Sequence, residues 1–292
     1  MLPPASRLLH PFGAGGRPEI RRSQDFFGLN RPEARRIRLF FLLWVSSLCC
    51  RQQFRDNLND YPIMRMLLFF LLTLPALSHA KPNYDAWNAL LEKYVTADGR
   101  VDYKGLKADS AALNRITEAF SAQTPTENWS RNQRLAFWIN VYNAFTIKLI
   151  VDNYPIGSIT LLDGGKPWEV KRVRIGRTVY SLNEIENDII RPEFKDARIH
   201  FALNCAAKSC PPLYNKAFLP STLDKQLDQR TRVYLHPFTR SWSASTVELS
   251  KIFEWYRDDF EDLGLFLKKY TGVKIAPGAA IKFTPYDWNL NE

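Results

Sequence analysis

Between His200 and Pro212 the chain reads His-Phe-Ala-Leu-Asn-Cys-Ala-Ala-Lys-Ser-Cys-Pro-Pro, placing one imidazole, two thiols and one amine in a single short segment. A thiol becomes a nucleophile when a neighbouring base or cation lowers its pKa from about 8.5, and an imidazole held by a carboxylate can do this. Cys205 and His200 are therefore candidate catalytic residues, with Glu186 upstream as the carboxylate that orients the ring. The same residues admit a second reading, in which Cys205 and Cys210 close a small disulfide loop in an oxidising compartment and His200 only packs. A zinc site is a third reading, but His200, Cys205 and Cys210, each five residues from the next, match no common ligand spacing, and His236 is distant. Neither a metal nor a cofactor is expected. Lys208 either assists thiolate formation or stands in solvent, the commoner fate of a lysine.

The elements that must position these groups are legible in part. Ser130 followed by Gln133 forms a capping box that predicts a long helix to about Asn153, stopped by Pro155. Its residues are apolar nearly all round, as in a helix buried on most faces. Asn140 and Asn143, three apart on this helix, must send at least one amide into the core. Such an amide is either satisfied structurally or a donor to a reacting carbonyl oxygen, so Asn140 joins Lys208 and Cys210 as a candidate substrate-binding residue. Ahead of this helix, Trp87 to Val95 and Leu106 to Phe120 have helical spacing, separated by the turn Ala97-Asp98-Gly99-Arg100.

After it, alternation in Val170 to Ile175 and Arg177 to Tyr180 predicts a hairpin about Gly176. Ser181 with Glu184 is a second capping box, opening a helix that Pro192 limits. Ile199, Phe201 and Leu203 alternate with His200 and Ala202 and predict a strand leading to Cys205. A helix from Leu223 to Tyr234, a strand from Thr246 to Leu249 and a closing helix from Ile252 to Phe266 complete the pattern. Mixed helices and short strands indicate an α+β fold with a central buried helix and a small antiparallel sheet.

Upstream, the apolar run Leu67 to Leu77 follows Arg65, is too short to span a bilayer, and precedes Ala76-Leu77-Ser78-His79-Ala80. Residues 64–80 are expected to be a signal peptide cleaved after Ala80, giving an exported, periplasmic or secreted protein. Residues 1–63, in which every basic residue is Arg, read as an over-extended or disordered start, and residues 81–292 as a single globular domain without an internal linker. Leu39 to Cys50 is too short to act as a membrane anchor, so no stable span is expected in the mature protein. Residues 81–292 carry 29 basic and 25 acidic side chains, so most of the whole-chain charge of +10 lies upstream and a nucleic-acid role loses its support.

With these segments in hand, the chain resembles the bacterial branch of the domain of unknown function 547 family. The matching stretches run from Ala136 to Ala144, Ser181 to Glu186, Arg198 to Cys205, Ser209 to Pro211 and Tyr286 to Asn291. The resemblance implies a fold similar to papain-like cysteine peptidases and transglutaminases, with a Glu, His and Cys constellation and a link to glutathione or related thiols. By motif these positions are Glu186, His200 and Cys205. Asn187 stands where the family usually has a His after the Glu. The leading expectation is a cysteine hydrolase or acyl/thiol transferase acting on a small peptide or glutathione-like thiol. The rival is a peptide- or thiol-binding or protein-interaction module in which Cys205 and Cys210 form a bridge.

Overall fold

The protein is described by a computed structural model covering residues 83–292 apart from Ala244 and Pro277; the expected signal peptide and the stretch before it lie outside these residues. Three helices come first, α1 (Asp85–Tyr94), α2 (Tyr103–Ala108) and α3 (Ser110–Ser121). One helix was expected from Leu106 to Phe120, but it is broken at Asp109, whose backbone leaves helical values. The Asp109 carboxylate turns away to accept bonds from Tyr94 Oη at 2.9 Å and Lys93 Nζ at 3.2 Å. Between α1 and α2 the turn closes through an antiparallel bridge from Val95 to Val101. Gly99, at φ +87, is needed there: a Cβ would lie 2.5 Å from Pro212 Cβ, so this turn packs directly behind the cysteine segment.

The central helix α4 (Arg131–Asn153) begins with the expected capping box. Gln133 N–H donates to Ser130 Oγ at 3.2 Å, and Ser130 N–H donates to Gln133 Oε1 at 2.8 Å. Sixteen of its residues are buried, Leu135, Phe137 and Ile139 completely. Each fully buried side chain of this size contributes about 1.5–3 kcal/mol relative to exposure, which is why a helix with no polar face is stable here. β1 (Val173–Ile175) and β2 (Thr178–Tyr180) follow as the expected hairpin, pairing Val173 with Tyr180 and Ile175 with Thr178. Val173 and Ile175 face the core while Arg174 faces solvent.

The second capping box also forms, with Glu184 N–H on Ser181 Oγ at 3.0 Å and Ser181 N–H on Glu184 Oε2 at 2.8 Å. It opens a wide π-helical stretch, Glu184–Ile190, that runs directly into α5 (Arg191–Phe194). Pro192 was expected to limit this helix; the π-helical part stops at Ile190, and Pro192 sits in the first turn of α5. Lys195, left-handed at φ 46, ends it.

The strand expected before Cys205 is a 3-10 turn, Ala197–Phe201. Ile199, His200, Phe201 and Ala202 are all buried, so the alternation in sequence marks no wet face, and Asp196 caps the turn by accepting from Arg198 N–H at 3.1 Å. α6 (Leu223–Leu235) and β3 (Thr246–Ser250) stand as expected. The single closing helix does not: α7 (Ile252–Trp255) gives way to a 3-10 turn at Arg257–Asp259, and α8 (Leu263–Thr271) starts afresh with Asp262 accepting from Leu265 N–H at 2.9 Å. A strand not foreseen, β4 (Ala280–Thr284), lies parallel to β3, in register from Thr246 with Ala280 to Ser250 with Thr284. One two-stranded sheet is thus antiparallel and the other parallel, the latter joined by a long helical crossover. Every described residue falls in one compact unit, and no helix among them is long and apolar enough to cross a membrane.

Asn140 locks α4 to its surroundings. Its Oδ1 accepts from Trp87 Nε1 at 3.1 Å and Phe218 N–H at 3.0 Å, and its Nδ2 donates to the carbonyls of Ala136 and Phe218, each at 2.8 Å. Asn140→Leu strands the Phe218 groups and the indole N–H without partners, and is expected to lower stability by about 3 kcal/mol. The urea unfolding midpoint measures this; an unchanged midpoint would remove Asn140 from the framework.

Candidate functional site

The cysteine segment is held by amide side chains. Asn143, one turn along α4 from Asn140, donates from Nδ2 to Ala202 O at 2.9 Å and accepts from Asn204 N–H at 2.9 Å. Asn204 in turn donates from Nδ2 to Pro211 O and accepts from Ala206 N–H, both at 2.9 Å. Ala206 takes φ 62, a left-handed conformation uncommon for a residue with a Cβ and sustained here by these bonds. The loop turns sharply enough for Cys205 N–H to donate to Cys210 Sγ at 2.8 Å. Cys205 Sγ lies 3.2 Å from Tyr286 Oη.

Both cysteines are free thiols, and both are buried, Cys205 completely. Burial opposes a thiolate on Cys205, whereas the Tyr286 hydroxyl and the Ala207 N–H favour one. Burial pushes Cys210 well up, and the charge on Cys205 pushes it further. Tyr286 is likewise raised by burial and by the two sulfurs, so its phenol keeps the proton that it offers to Cys205. Of the two thiols, Cys205 is the one that faces the phenol.

His200 was expected to take its carboxylate from Glu186, and instead takes it from Asp259. His200 Nε2 lies 2.6 Å from Asp259 Oδ2, and the other ring nitrogen, Nδ1, is buried without a partner. The break between α7 and α8 is what brings Asp259 here. Arg191 grips the same carboxylate with two bonds, Nε at 2.7 Å and Nη2 at 2.8 Å, and is itself steadied by Asn187 Oδ1 at 2.7 Å. Asn187 thus braces the arginine where a second imidazole was considered. Burial would raise the Asp259 pKa, but the bonds from His200 and Arg191 hold it far below the usual carboxylate range.

Glu186, 1% exposed, accepts from Tyr256 Oη at 2.8 Å. Tyr256 stacks on the His200 ring at 3.9 Å between centroids, so Glu186 reaches the imidazole only through this phenol. Glu186 and Tyr256 line a narrow cleft with Lys166, Trp168, Asn183 and Asn187. The expected substrate-binding role of Asn140 is not supported, because its oxygen and both its donors are spent within the protein. Two buried hydroxyls on α4 are unspent, those of Tyr142 and Thr146, and that of Tyr142 is within electrostatic reach of Glu186, Tyr256 and both thiols. Lys208 points to solvent and contributes its backbone N–H, at 2.8 Å from Asn289 O. Cys210, expected to bind substrate, is turned inward onto Cys205.

Sequence reading missed Asp259, Tyr256 and Tyr142, and gave Tyr286 no role beyond a matching tail. Nothing local marks them, since each acts on a partner far along the chain. Among the described residues no three His, Cys, Asp or Glu side chains converge to hold a metal ion.

Residues 126–235 match the family described as a protein of unknown function, DUF547. The match spans Glu186, His200, Cys205 and Cys210, and stops short of Asp259 and Tyr286. No curated protein and no solved structure matches the chain.

Because the folded pKa of Asp259 is depressed, its contribution to stability is complete above the unfolded carboxylate value near 4 and is lost as pH falls towards the folded one. Asp259→Asn is expected to cost about 2 kcal/mol at neutral pH, the scale of a hydrogen bond to a charged group. The gap between the two proteins should narrow below about pH 4. Urea titrations at a series of pH values test this, and a gap that stays constant to pH 2 would show that the ion pair is not its source.

Proposed function

We propose that Cys205 is the nucleophile of an exported cysteine hydrolase or acyl/thiol transferase that acts on a small peptide or glutathione-like thiol, in a papain- or transglutaminase-like arrangement. The supporting observation is the setting of the thiol pair: Cys205 Sγ has the Tyr286 hydroxyl at 3.2 Å, while Cys210 Sγ accepts the Cys205 N–H at 2.8 Å and is pushed up by burial. His200 offers one unpartnered ring nitrogen. Asp259 fixes Nε2, which leaves Nδ1 as the nitrogen that takes a proton from the thiol.

His200 and Cys205 share no hydrogen bond in this resting arrangement, and contacts of this kind tighten when substrate binds. In the reaction Cys205 Sγ attacks a carbonyl carbon and its proton passes to His200. The carbonyl oxygen gathers charge, for which the unpartnered Tyr142 hydroxyl is the proposed donor. The bond to the leaving amine or thiol breaks as His200 returns the proton to that group, leaving a thioester on Cys205. Water, or an acceptor thiol or amine, then attacks the thioester, and Cys205 is restored with its proton.

The complete burial of Cys205 favours one other reading, a peptide- or thiol-binding module whose two cysteines close into a bridge under oxidising conditions. Alkylation followed by intact mass separates the two. Under the nucleophile reading the protein gains its first label without reductant, that label disappears in Cys205→Ala, and Cys210 reacts later. Two labels acquired only after reduction, with no acyl-enzyme formed from an activated ester, would decide for the binding module.

A further inference from the structure

Cys205 is completely buried. What lies over its sulfur is the chain's own C-terminal segment. Tyr286 Oη sits on Cys205 Sγ at 3.2 Å. The residues after it run antiparallel to the cysteine loop, bridging Ala207 with Leu290. Lys208 N–H donates to Asn289 O at 2.8 Å, and Ser209 N–H donates to Asp287 O at 3.2 Å. Asp287 N–H returns a bond to Ser209 Oγ at 2.8 Å.

The two ends of this segment are held by other means. Upstream, β4 pairs with β3 along its length. Downstream, Leu290 and Asn291 are buried, and Asn291 is tied to Tyr103 Oη at 2.8 Å and to Val101 N–H at 2.9 Å. Residues 285–289 therefore form a strap anchored at both ends, and its middle is held by three backbone-linked bonds, one phenol and a stack of Trp255, Tyr286 and Trp288. The stack is only half-buried.

We infer that this strap gates Cys205 and that it occupies, in cis, the edge on which an extended peptide substrate lies. The edge offers what such a substrate needs: beside the antiparallel bridge at Ala207, the Lys208 and Ser209 N–H groups are held in a turn that aims both at the carbonyls of a peptide main chain. The strap and the substrate main chain compete for the same donors, so lifting the strap both exposes the thiol and frees the binding edge. This rests on the reading of Cys205 as nucleophile, and it gives the substrate class as an extended peptide segment rather than a compact small molecule.

The test uses the full chain and two variants away from the anchors, Ser209→Ala and Trp288→Ala. Iodoacetamide labelling of Cys205, read by intact mass, is expected to speed up roughly tenfold, the scale of one or two lost contacts of this kind. Amide exchange at Lys208 and Ser209 should rise with it. A heptapeptide with the sequence of Tyr286 to Glu292, added in trans, should slow both again. In the unaltered protein, labelling of Cys205 should depend on urea far less steeply than global unfolding does, a readout that holds even where a variant fails to fold. Labelling that tracks global unfolding, or that neither variant nor heptapeptide changes, overturns the strap. Incubation with an activated ester separates the two ideas: faster labelling without an acyl-enzyme leaves the strap standing and removes the nucleophile, whereas an acyl-enzyme formed at the same rate in both variants keeps the nucleophile and removes the strap.

Discussion

The site depends on one side chain of the central helix. Asn143 accepts from Asn204 N–H and donates to Ala202 O, thereby satisfying two backbone groups that a buried, irregular loop would otherwise leave unpaired. Without those bonds the Ala202 carbonyl and the Asn204 N–H would be buried unpaired, since the segment running antiparallel to the loop pairs only its later part, from Ala206 to Ser209. Asn204 repeats the device one step further, and Ala206 can then hold its left-handed turn. The position of Cys205 is thus a consequence of amide chemistry on a helix that is otherwise almost wholly apolar. The apolar residues supply the driving force, and the two asparagines supply the direction.

Two buried or half-buried carboxylates then divide the electrostatics. Asp259 faces two cations or potential cations, Arg191 and His200, and Glu186 faces a phenol. Tyr256 joins the two halves by stacking on the imidazole while donating to Glu186, and the Arg191 guanidinium lies over the Tyr256 ring, 5.1 Å from its centre. A histidine held in this way has one fixed nitrogen and one free one, and the tautomer is set by the acidic partner. The wide π-helical turn carries Glu186, and the chain continues directly to Arg191, so an irregular helix supplies both the carboxylate beneath Tyr256 and the cation on Asp259.

What could be read from the sequence follows the range of the interactions. Capping boxes at Ser130 and Ser181, the hairpin about Gly176 and the all-round apolar helix are decided by residues a few positions apart, and each stands in the structure. The supposed strand through Ile199, Phe201 and Leu203 fails because alternation reports a wet face only when one exists, and here both faces are buried. The closing helix fails at Asp259 because the carboxylate is engaged by His200 and Arg191, 59 and 68 residues away in sequence. The concentration of His200, Cys205 and Cys210 in one segment correctly located the thiols, but a carboxylate partner for His200 was assigned from proximity along the chain and from family motif, neither of which sees the fold bring Asp259 across. Asn140 and Asn143 look alike in sequence; only the tertiary environment spends the first on Trp87 and Phe218 and the second on the cysteine loop.

A thiol that is to be ionised in the interior faces a conflict. Exposure would solvate the thiolate without help, but would also let water and adventitious oxidants reach it; burial protects the sulfur and raises its pKa. Here the conflict is met by donors rather than by solvent. The Tyr286 phenol and the Ala207 N–H converge on one sulfur, and the phenol belongs to the segment that covers it. Cover and polarisation are therefore a single contact: the group that excludes water is also one of the groups that stabilises charge. Moving that segment away removes a donor at the moment it admits a substrate, so the incoming chain must bring its own polar groups to the edge that Lys208 and Ser209 leave open. A ligand lacking a main chain to pair there would expose the thiol without replacing what held it, which ties access to the thiol to recognition of an extended backbone.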